Sequence, residues 1–153
     1  MVDVTFRKAT AADVAFVGAR LREADRAEML ALGMEPERAL RLSAAGSDRC
    51  WCGMIEGVPA MIFGWGQSLT ADRGVIWGLG TDLLTRHPRE MLVYGRAIVR
   101  GFLEECPRLG NWCDARYKAA LRWLRKLGFT VEEPKPYGPR GADFCQFEMA
   151  KEE

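Results

Sequence analysis

The chain has 153 residues, 48% of them hydrophobic and 28% charged, and a formal net charge of +1. A chain of this length forms one domain with a sizeable core, so we expect a single domain over residues 1–153. The balanced charge argues against nucleic acid or an anionic membrane as partner. No apolar run approaches the length of about eighteen residues that a membrane span needs, and the N-terminal sequence lacks the apolar core of a signal peptide, which favours a cytoplasmic location.

The N-terminal third is predicted to hold one strand followed by helices. Residues 4–10 alternate as a strand, and Thr10 with Asp13 forms a Thr-x-x-Asp capping pattern ahead of a first helix. Residues 22–33 and 35–47 continue as helical segments that end at glycine, and Pro36 suits a first helical turn.

The middle of the chain changes to a strand pattern. Residues 49–55 and 58–66 are apolar runs joined by Glu56 and Gly57, which predicts a hairpin. Residues 74–84, GVIWGLGTDLL, follow as a buried strand with glycines at 78 and 80.

The second half begins with a long helix from Pro88. Its predicted buried stripe consists of Met91, Gly95, Ile98, Phe102 and Cys106. A short strand (NWCDARY, 111–117), an amphipathic helix and two final strands around the loop PKPYGPRG (134–141) complete the chain. The order β, α, α, β, β, β, α, β, α, β, β predicts a mixed α/β sheet flanked by helices.

Cysteine and histidine usage bears on metal and redox chemistry. The five cysteines are odd in number and lie in apolar runs, which favours reduced core thiols over a disulfide framework: Cys50, Cys52, Cys106, Cys113 and Cys145. A zinc site needs four soft or imidazole ligands, and the chain has one histidine, so we expect no metal site.

The element order, the long helix after the middle strand and the terminal RWLRKLGF (122–129) resemble the GNAT acyltransferase superfamily over essentially the whole chain. Four stretches are also similar to the internal virion protein A-like family of phages and prophages: LLTRHPREML, LGNWCDARY, RWLRKLGF and KPYGPRGADFCQFEM. That finer resemblance implies a phage or prophage protein, located in the host cytoplasm or the virion. Its partners would be virion proteins or further copies of the chain.

The GNAT resemblance implies that acetyl-CoA lies where two parallel strands splay apart, here the strand ending near Gly80 and the strand around Trp112. The pantetheine arm would pair with the backbone of Trp77, Gly78 and Leu79. The pyrophosphate would lie over the start of the following helix. Gly78 and Gly80 either allow a close approach of that arm or only relieve crowding or form a bulge.

The loop that would hold the pyrophosphate departs from the superfamily pattern. GNAT enzymes usually carry Arg/Gln-x-x-Gly-x-Gly/Ala there, and this chain has TRHPREML. Pro88 removes one backbone donor, whereas Arg86, His87 and Arg89 either contact phosphates through their side chains or form a solvated helix start. We therefore expect weak acetyl-CoA binding.

The candidate general acid also departs from the pattern. Leu124 stands where many relatives carry a tyrosine, and leucine cannot protonate a departing thiolate. Tyr117 lies two helical turns earlier on the same face, so it is either a substitute acid or a packing residue.

Three carboxylates near predicted strand ends are candidates for a general base. Glu56 is typical of a turn, and Asp114 with Arg116 is more simply a local ion pair. Asp82 either faces the splayed cleft as a base or caps its loop.

Two functions fit these patterns: an acyl-CoA-dependent N-acyltransferase with an altered phosphate loop, or a non-catalytic binding or assembly protein that keeps the fold. On the second interpretation, the segment EEPKPYGPRG (132–141), with Tyr137 and Arg140, is expected to contact another subunit or a phage protein. The alternative for that segment is a solvated connection between strands.

Overall fold

The computed structural model describes residues 2–68 and 72–152. Within these residues, eight strands form one sheet that five α-helices flank. The strands are β1 (Val4–Lys8), β2 (Arg49–Ile55), β3 (Val58–Gln67), β4 (Gly74–Gly80), β5 (Arg108–Asp114), β6 (Thr130–Val131), β7 (Lys135–Tyr137) and β8 (Ala142–Ala150). The helices are α1 (Ala11–Gly18), α2 (Glu23–Ala31), α3 (Pro36–Gly46), α4 (Pro88–Glu105) and α5 (Lys118–Leu127), and a 3₁₀ turn covers Leu84–Arg86.

The sheet is mixed, as predicted. Its strand order is β1-β2-β3-β4-β5-β8-β6, and β7 pairs with β8. Strands β1 to β4 form an antiparallel meander, whereas β4 and β5 are parallel. The three helical segments predicted between β1 and β2 are all present, although the predicted order has two helices there. The loop 134–141 differs from the prediction, since it contains a strand, β7, whose backbone pairs with β8.

Local signals form the elements that surround the sheet. The Thr10 hydroxyl accepts the Asp13 N–H and the Asp13 carboxylate accepts the Thr10 N–H, each at 3.1 Å, so the predicted capping pattern is a complete capping box. Glu56 and Gly57 have φ values of 50° and 76°, the left-handed pair that a type I′ hairpin turn requires. The hairpin prediction is therefore confirmed.

The core has one layer on each face of the sheet. On one face Val17 and Leu40 pack against Ile62, and on the other α4 and α5 cover a cluster that includes Phe102 and Leu109. All five cysteines are free thiols, and all but Cys50 are buried, as the sequence predicts.

The predicted buried stripe of α4 is correct for its second half only. Phe102 and Cys106 are buried, but Met91, Gly95 and Ile98 are only partly buried. These three residues line a cavity between the helix and the sheet. The first half of α4 is therefore a wall of the candidate site rather than part of a closed core.

Two findings bear on the class of protein. In the described part of the chain, no helix is both long and apolar enough to cross a membrane. The same residues contain no group of three or more histidine, cysteine, aspartate or glutamate side chains that could hold a metal ion.

Candidate active site

Strands β4 and β5 part shortly after they meet. They pair only at Gly74 with Leu109 and at Val75 with Gly110. The side chain of Asn111 spans the next position, because its Nδ2 donates to the Ile76 carbonyl and its Oδ1 accepts the Trp112 N–H, each at 2.8 Å. One amide thus replaces a rung of the backbone ladder, and a cleft opens beyond it.

Two carboxylates of α2 close the wide end of this cleft. Asp25 accepts the Gly80 N–H at 2.7 Å, and Glu28 accepts the Asp114 N–H at 2.9 Å. Residues three apart lie on one face of a helix, so a single helix holds both splayed strands. Arg22 completes the arrangement, because its N–H donates to the Gly80 carbonyl at 2.9 Å and its guanidinium pairs with Asp25 at 3.0 Å.

Between these side-chain contacts, the backbone of Gly78 faces the cleft. Backbone groups of a strand alternate in direction with a period of two residues, and those of Ile76 and Gly80 point toward β5. The N–H and C=O of Gly78 therefore point the same way. The ladder to β5 has already ended at Val75, so this pair is available to a ligand.

The two glycines of β4 differ in their surroundings. A Cβ on Gly80 would collide with Leu84 and approach the Ala60 carbonyl, which supports relief of crowding at that position. A Cβ on Gly78 would meet the flexible end of Met61. Only Gly78 combines a small residue with backbone groups that are open to the cleft.

A cavity of about 700 Å³ passes through the cleft and reaches both faces of the sheet. Six of the predicted site residues line it: Trp77, Gly78, Leu79, Asp82, His87 and Tyr117. Gly80, Arg86 and Arg89 do not, and the two arginines are exposed at the surface. The structure thus brings six of the nine predicted residues to one cavity and leaves Gly80 and the two arginines outside its lining.

The start of α4 offers few backbone donors. Pro88 is the first helical residue and has no N–H, and His87 makes no side-chain cap. The N–H of Met91 already donates to the His87 carbonyl at 3.1 Å. The helical pattern therefore leaves the N–H groups of Arg89 and Glu90 as the donors of the first turn.

Three ionisable groups in the cavity have strongly raised pKa values: Glu28, Cys113 and Tyr117. Burial raises the pKa of Glu28 to about 7; the Asp114 N–H opposes this rise and the nearby Asp25 carboxylate adds to it. Burial also raises the pKa of the Tyr117 hydroxyl well above its usual range, and the Asp25 carboxylate acts in the same direction. Near neutral pH, Glu28 can therefore accept or release a proton, while Tyr117 keeps its own.

Sequence reasoning missed Asp25 and Glu28. Of the carboxylates it considered, Glu56 lies in the hairpin turn, and Asp114 pairs with Arg116 at 2.7 Å, as predicted. Asp82 is exposed at the mouth of the cavity. The available signal was the spacing of two acidic residues on the inner face of α2, which on its own is typical of a solvated helix.

The segment 132–141 packs beside the cleft. The Tyr137 ring stacks on Trp112, with centroids 4.0 Å apart and planes 11° apart, and the Lys135 ammonium lies 5.1 Å from the centroid of the same indole. Tyr137 keeps 36% of its surface exposed. The expectation that this segment contacts another protein stays a prediction, but part of its aromatic surface already covers Trp112.

No family model matches the chain, and no curated protein matches it. Solved structures do. The chain is similar to an acetyltransferase of the GNAT family from Bacillus anthracis, with 13% identity, a TM-score of 0.71 and coverage of 100% of this chain and 98% of the other. It is also similar to Ard1 from Thermoplasma volcanium, with 14% identity, a TM-score of 0.71 and coverage of 98% of this chain and 99% of the other. A third similar structure is a Salmonella typhimurium protein, solved with its cofactor acetyl-CoA. It has 18% identity, a TM-score of 0.61 and coverage of 98% of this chain and 95% of the other.

These likenesses show that the chain has the GNAT fold, so the fold prediction is confirmed. At such low identity they show the fold alone. The finer resemblance to the internal virion protein A-like family gains no support from them, and a phage origin stays a prediction.

Proposed function

We propose that the protein is an acyl-CoA-dependent N-acyltransferase. The observation that carries this proposal is the open backbone pair of Gly78 inside a cleft that also holds Glu28 and Tyr117. A strand edge with a free N–H and C=O suits the amides of a pantetheine arm. The fold is shared with a Salmonella typhimurium protein that was solved with acetyl-CoA.

The residues present offer fewer backbone contacts to the pyrophosphate of acyl-CoA than to its pantetheine arm. The N–H groups of Arg89 and Glu90 at the start of α4, with the side chains of Arg86, His87 and Arg89, would hold the pyrophosphate. Because Pro88 removes a donor there, the site depends on side chains more than on backbone. We expect acetyl-CoA to bind with a dissociation constant above the low-micromolar range.

Acyl-CoA, when bound, supplies the acyl group as a thioester, so that a new C–N bond forms while the C–S bond breaks. Glu28, whose pKa burial raises to about 7, is placed to accept the proton that the attacking amine loses. Tyr117, whose hydroxyl is protonated at neutral pH, would give its proton to the departing sulfur. Asp25 and Arg22 hold the strand end beside both groups.

The sparse phosphate site favours a second candidate, a binding or assembly module that keeps the fold without catalysis. Only two N–H groups are left in the first turn of α4, and exposed side chains surround them. In this case the function would lie in the surface of the domain, including the segment 132–141. Proteins of one fold host many functions, so the site decides between the candidates.

Release of free CoA thiol tests the proposal. The protein is incubated with acyl-CoA and a panel of primary amines, and thiol is followed with a chromogenic disulfide while the acylated amine is identified by mass spectrometry. We expect amine-dependent release that Glu28→Gln abolishes and that the matched control Glu104→Gln, at an exposed residue of α4 remote from the cleft, leaves unchanged. Absence of both turnover and calorimetric binding for every acyl-CoA would favour the non-catalytic module.

A further inference from the structure

One limb of the cavity lies on the face of the sheet that α1 and α3 cover. Trp77 points to this face, because its Nε1 donates to the Ser47 hydroxyl at the end of α3, at 2.7 Å. The other lining residues come from α2, from the turn after it and from α3. The six residues that define this α3-side limb are Met29, Leu32, Met34, Ser43, Trp77 and Trp112.

Two tryptophans stand at the same level of the splayed strands. The last pair of the parallel ladder is Val75 with Gly110, and Trp77 and Trp112 each lie two residues further along. Side chains of a strand alternate between faces, and Cys113 belongs to the cluster under α4 and α5. Trp112 therefore points to the α3 side, as Trp77 does, and one indole flanks each side of the gap.

This level is also where the thioester of acyl-CoA would lie. The pyrophosphate would lie at the start of α4, beyond Gly80, and the pantetheine arm would pair with Gly78. The sulfur would then lie on the other side of Gly78, toward the point where the strands join. Because acyl-CoA enters on the α4 face, the acceptor reaches the thioester from the α3 side. The proposed base, Glu28, directly precedes Met29 on α2, so this limb begins beside it.

The α3-side limb is apolar apart from one hydroxyl. All of its residues except Ser43 are apolar or aromatic, and Met34 is 36% exposed while the other apolar ones are partly buried. Apolar surface that stays in contact with water gains free energy when an apolar group covers it. Indole rings also make favourable contacts with a further aromatic ring.

The charges near the limb disfavour a second cation on the acceptor. None of the six lining residues is acidic, and the Lys135 ammonium lies 5.1 Å from the centroid of the Trp112 ring. An ammonium held in the limb would lose hydration and would be repelled by Lys135. Glu28, at the inner end, is placed for the reacting amine instead.

We propose that the acceptor is a primary amine that carries an apolar group, an aromatic ring or an alkyl chain, and that the α3-side limb holds this group. This proposal rests on the proposed N-acyltransferase function, whose acceptor class it names. Trp77, Trp112 and Met34 are then specificity-determining residues that contact the apolar group.

Matched amines test the proposal with the intact protein and acetyl-CoA. Hexylamine and the diamine cadaverine have equal numbers of non-hydrogen atoms and differ only in a terminal methyl or ammonium group. We expect kcat/KM to be at least about tenfold higher for hexylamine than for cadaverine, and at least about tenfold higher for phenethylamine than for ethylamine. Ligand-observed NMR of the same amines without acetyl-CoA gives their order of binding independently of turnover.

Two charge variants locate the effect. Met34→Glu places a carboxylate at the exposed mouth of the limb and should lower the ratio of kcat/KM for hexylamine to that for cadaverine by about threefold. Val93→Glu adds the same charge to α4, on the opposite face of the sheet, where Val93 is 56% exposed, and should leave the ratio unchanged. Both positions are exposed, so neither variant disturbs the core.

Each alternative outcome has a distinct meaning. Turnover that is equal for all four amines, or that is faster with cadaverine or ethylamine, would overturn the apolar acceptor and leave the acyltransferase proposal standing. A ratio that both variants change alike would overturn the assignment to the α3-side limb. Binding of hexylamine and phenethylamine without turnover of any acyl-CoA would retain the limb as a site for apolar amines and overturn the acyltransferase proposal. Neither binding nor turnover of any amine would overturn both.

Discussion

Replacement of Glu28 by glutamine separates the charge of this residue from its shape. Glutamine keeps the length of the side chain and an oxygen that can accept the Asp114 N–H, but it cannot ionise. Burial raises the pKa of Glu28 from an ordinary 4.5 to about 7, a difference of about 2.5. At about 1.4 kcal/mol for each pH unit, this corresponds to about 3 kcal/mol of pH-dependent stability.

The sign of the effect follows from proton binding. The folded protein holds the Glu28 proton more tightly than the unfolded chain does, so this group stabilises the fold fully below pH 4.5 and the stabilisation is lost as the pH rises to about 7. Above that pH the buried carboxylate is charged beside Asp25 and Asp114, with the Cys113 thiol also in contact. The free energy of unfolding of Glu28→Gln should therefore gain about 3 kcal/mol relative to wild type between about pH 4.5 and 8.

Urea unfolding followed by tryptophan fluorescence measures this difference at several pH values from about 5 to about 8. Glu104→Gln, which removes an exposed carboxylate of α4, is the control for the loss of a charge alone. A difference for Glu28→Gln that changes with pH no more than the Glu104→Gln difference does would remove the reason to assign Glu28 as the base.

Three further predictions concern the cleft and the neighbouring segment. Tyr117→Phe should lower turnover at least about tenfold with little change in the KM for the amine, as loss of a proton donor implies; unchanged turnover removes Tyr117 from the mechanism. Asn111→Asp keeps the acceptor for the Trp112 N–H but turns an oxygen toward the Ile76 carbonyl, so the KM for acyl-CoA should rise more than kcat falls, and a loss of melting temperature alone would contradict this. Arg140→Glu should lower the sedimentation coefficient of any self-associated form, and identical sedimentation would contradict a subunit contact through segment 132–141.

Features that depend on neighbouring residues were predicted well from the sequence. The capping box of Thr10 and Asp13 and the type I′ turn at Glu56 and Gly57 are set by contacts within a few residues, so their patterns carry the whole signal. β7 was missed because its three residues become a strand only by pairing with β8, and the prolines and glycines of the surrounding segment 134–141 otherwise predict a loop.

The base candidate was missed for a different reason. On the sequence, Arg22, Asp25 and Glu28 form the charge pattern of a solvated helix with an ion pair three residues apart. Their role comes from the position of α2 over the ends of two strands, which the sequence around them does not encode. The rise in the pKa of Glu28 is a consequence of the same placement, since burial is its main cause.

The opening of the cleft itself depends on contacts of long range. Asn111 bonds to a carbonyl 35 residues away, Asp25 to an N–H 55 residues away and Glu28 to an N–H 86 residues away. A buried N–H or C=O that leaves a ladder without a new partner costs about 1–3 kcal/mol, so two parallel strands separate only where side chains satisfy the groups that they release. In this cleft, side chains accept or donate the hydrogen bonds of the Ile76 carbonyl and the Gly80 N–H, but not those of the Gly78 backbone between them. A ligand amide that pairs with this strand edge can therefore bind at Gly78 only.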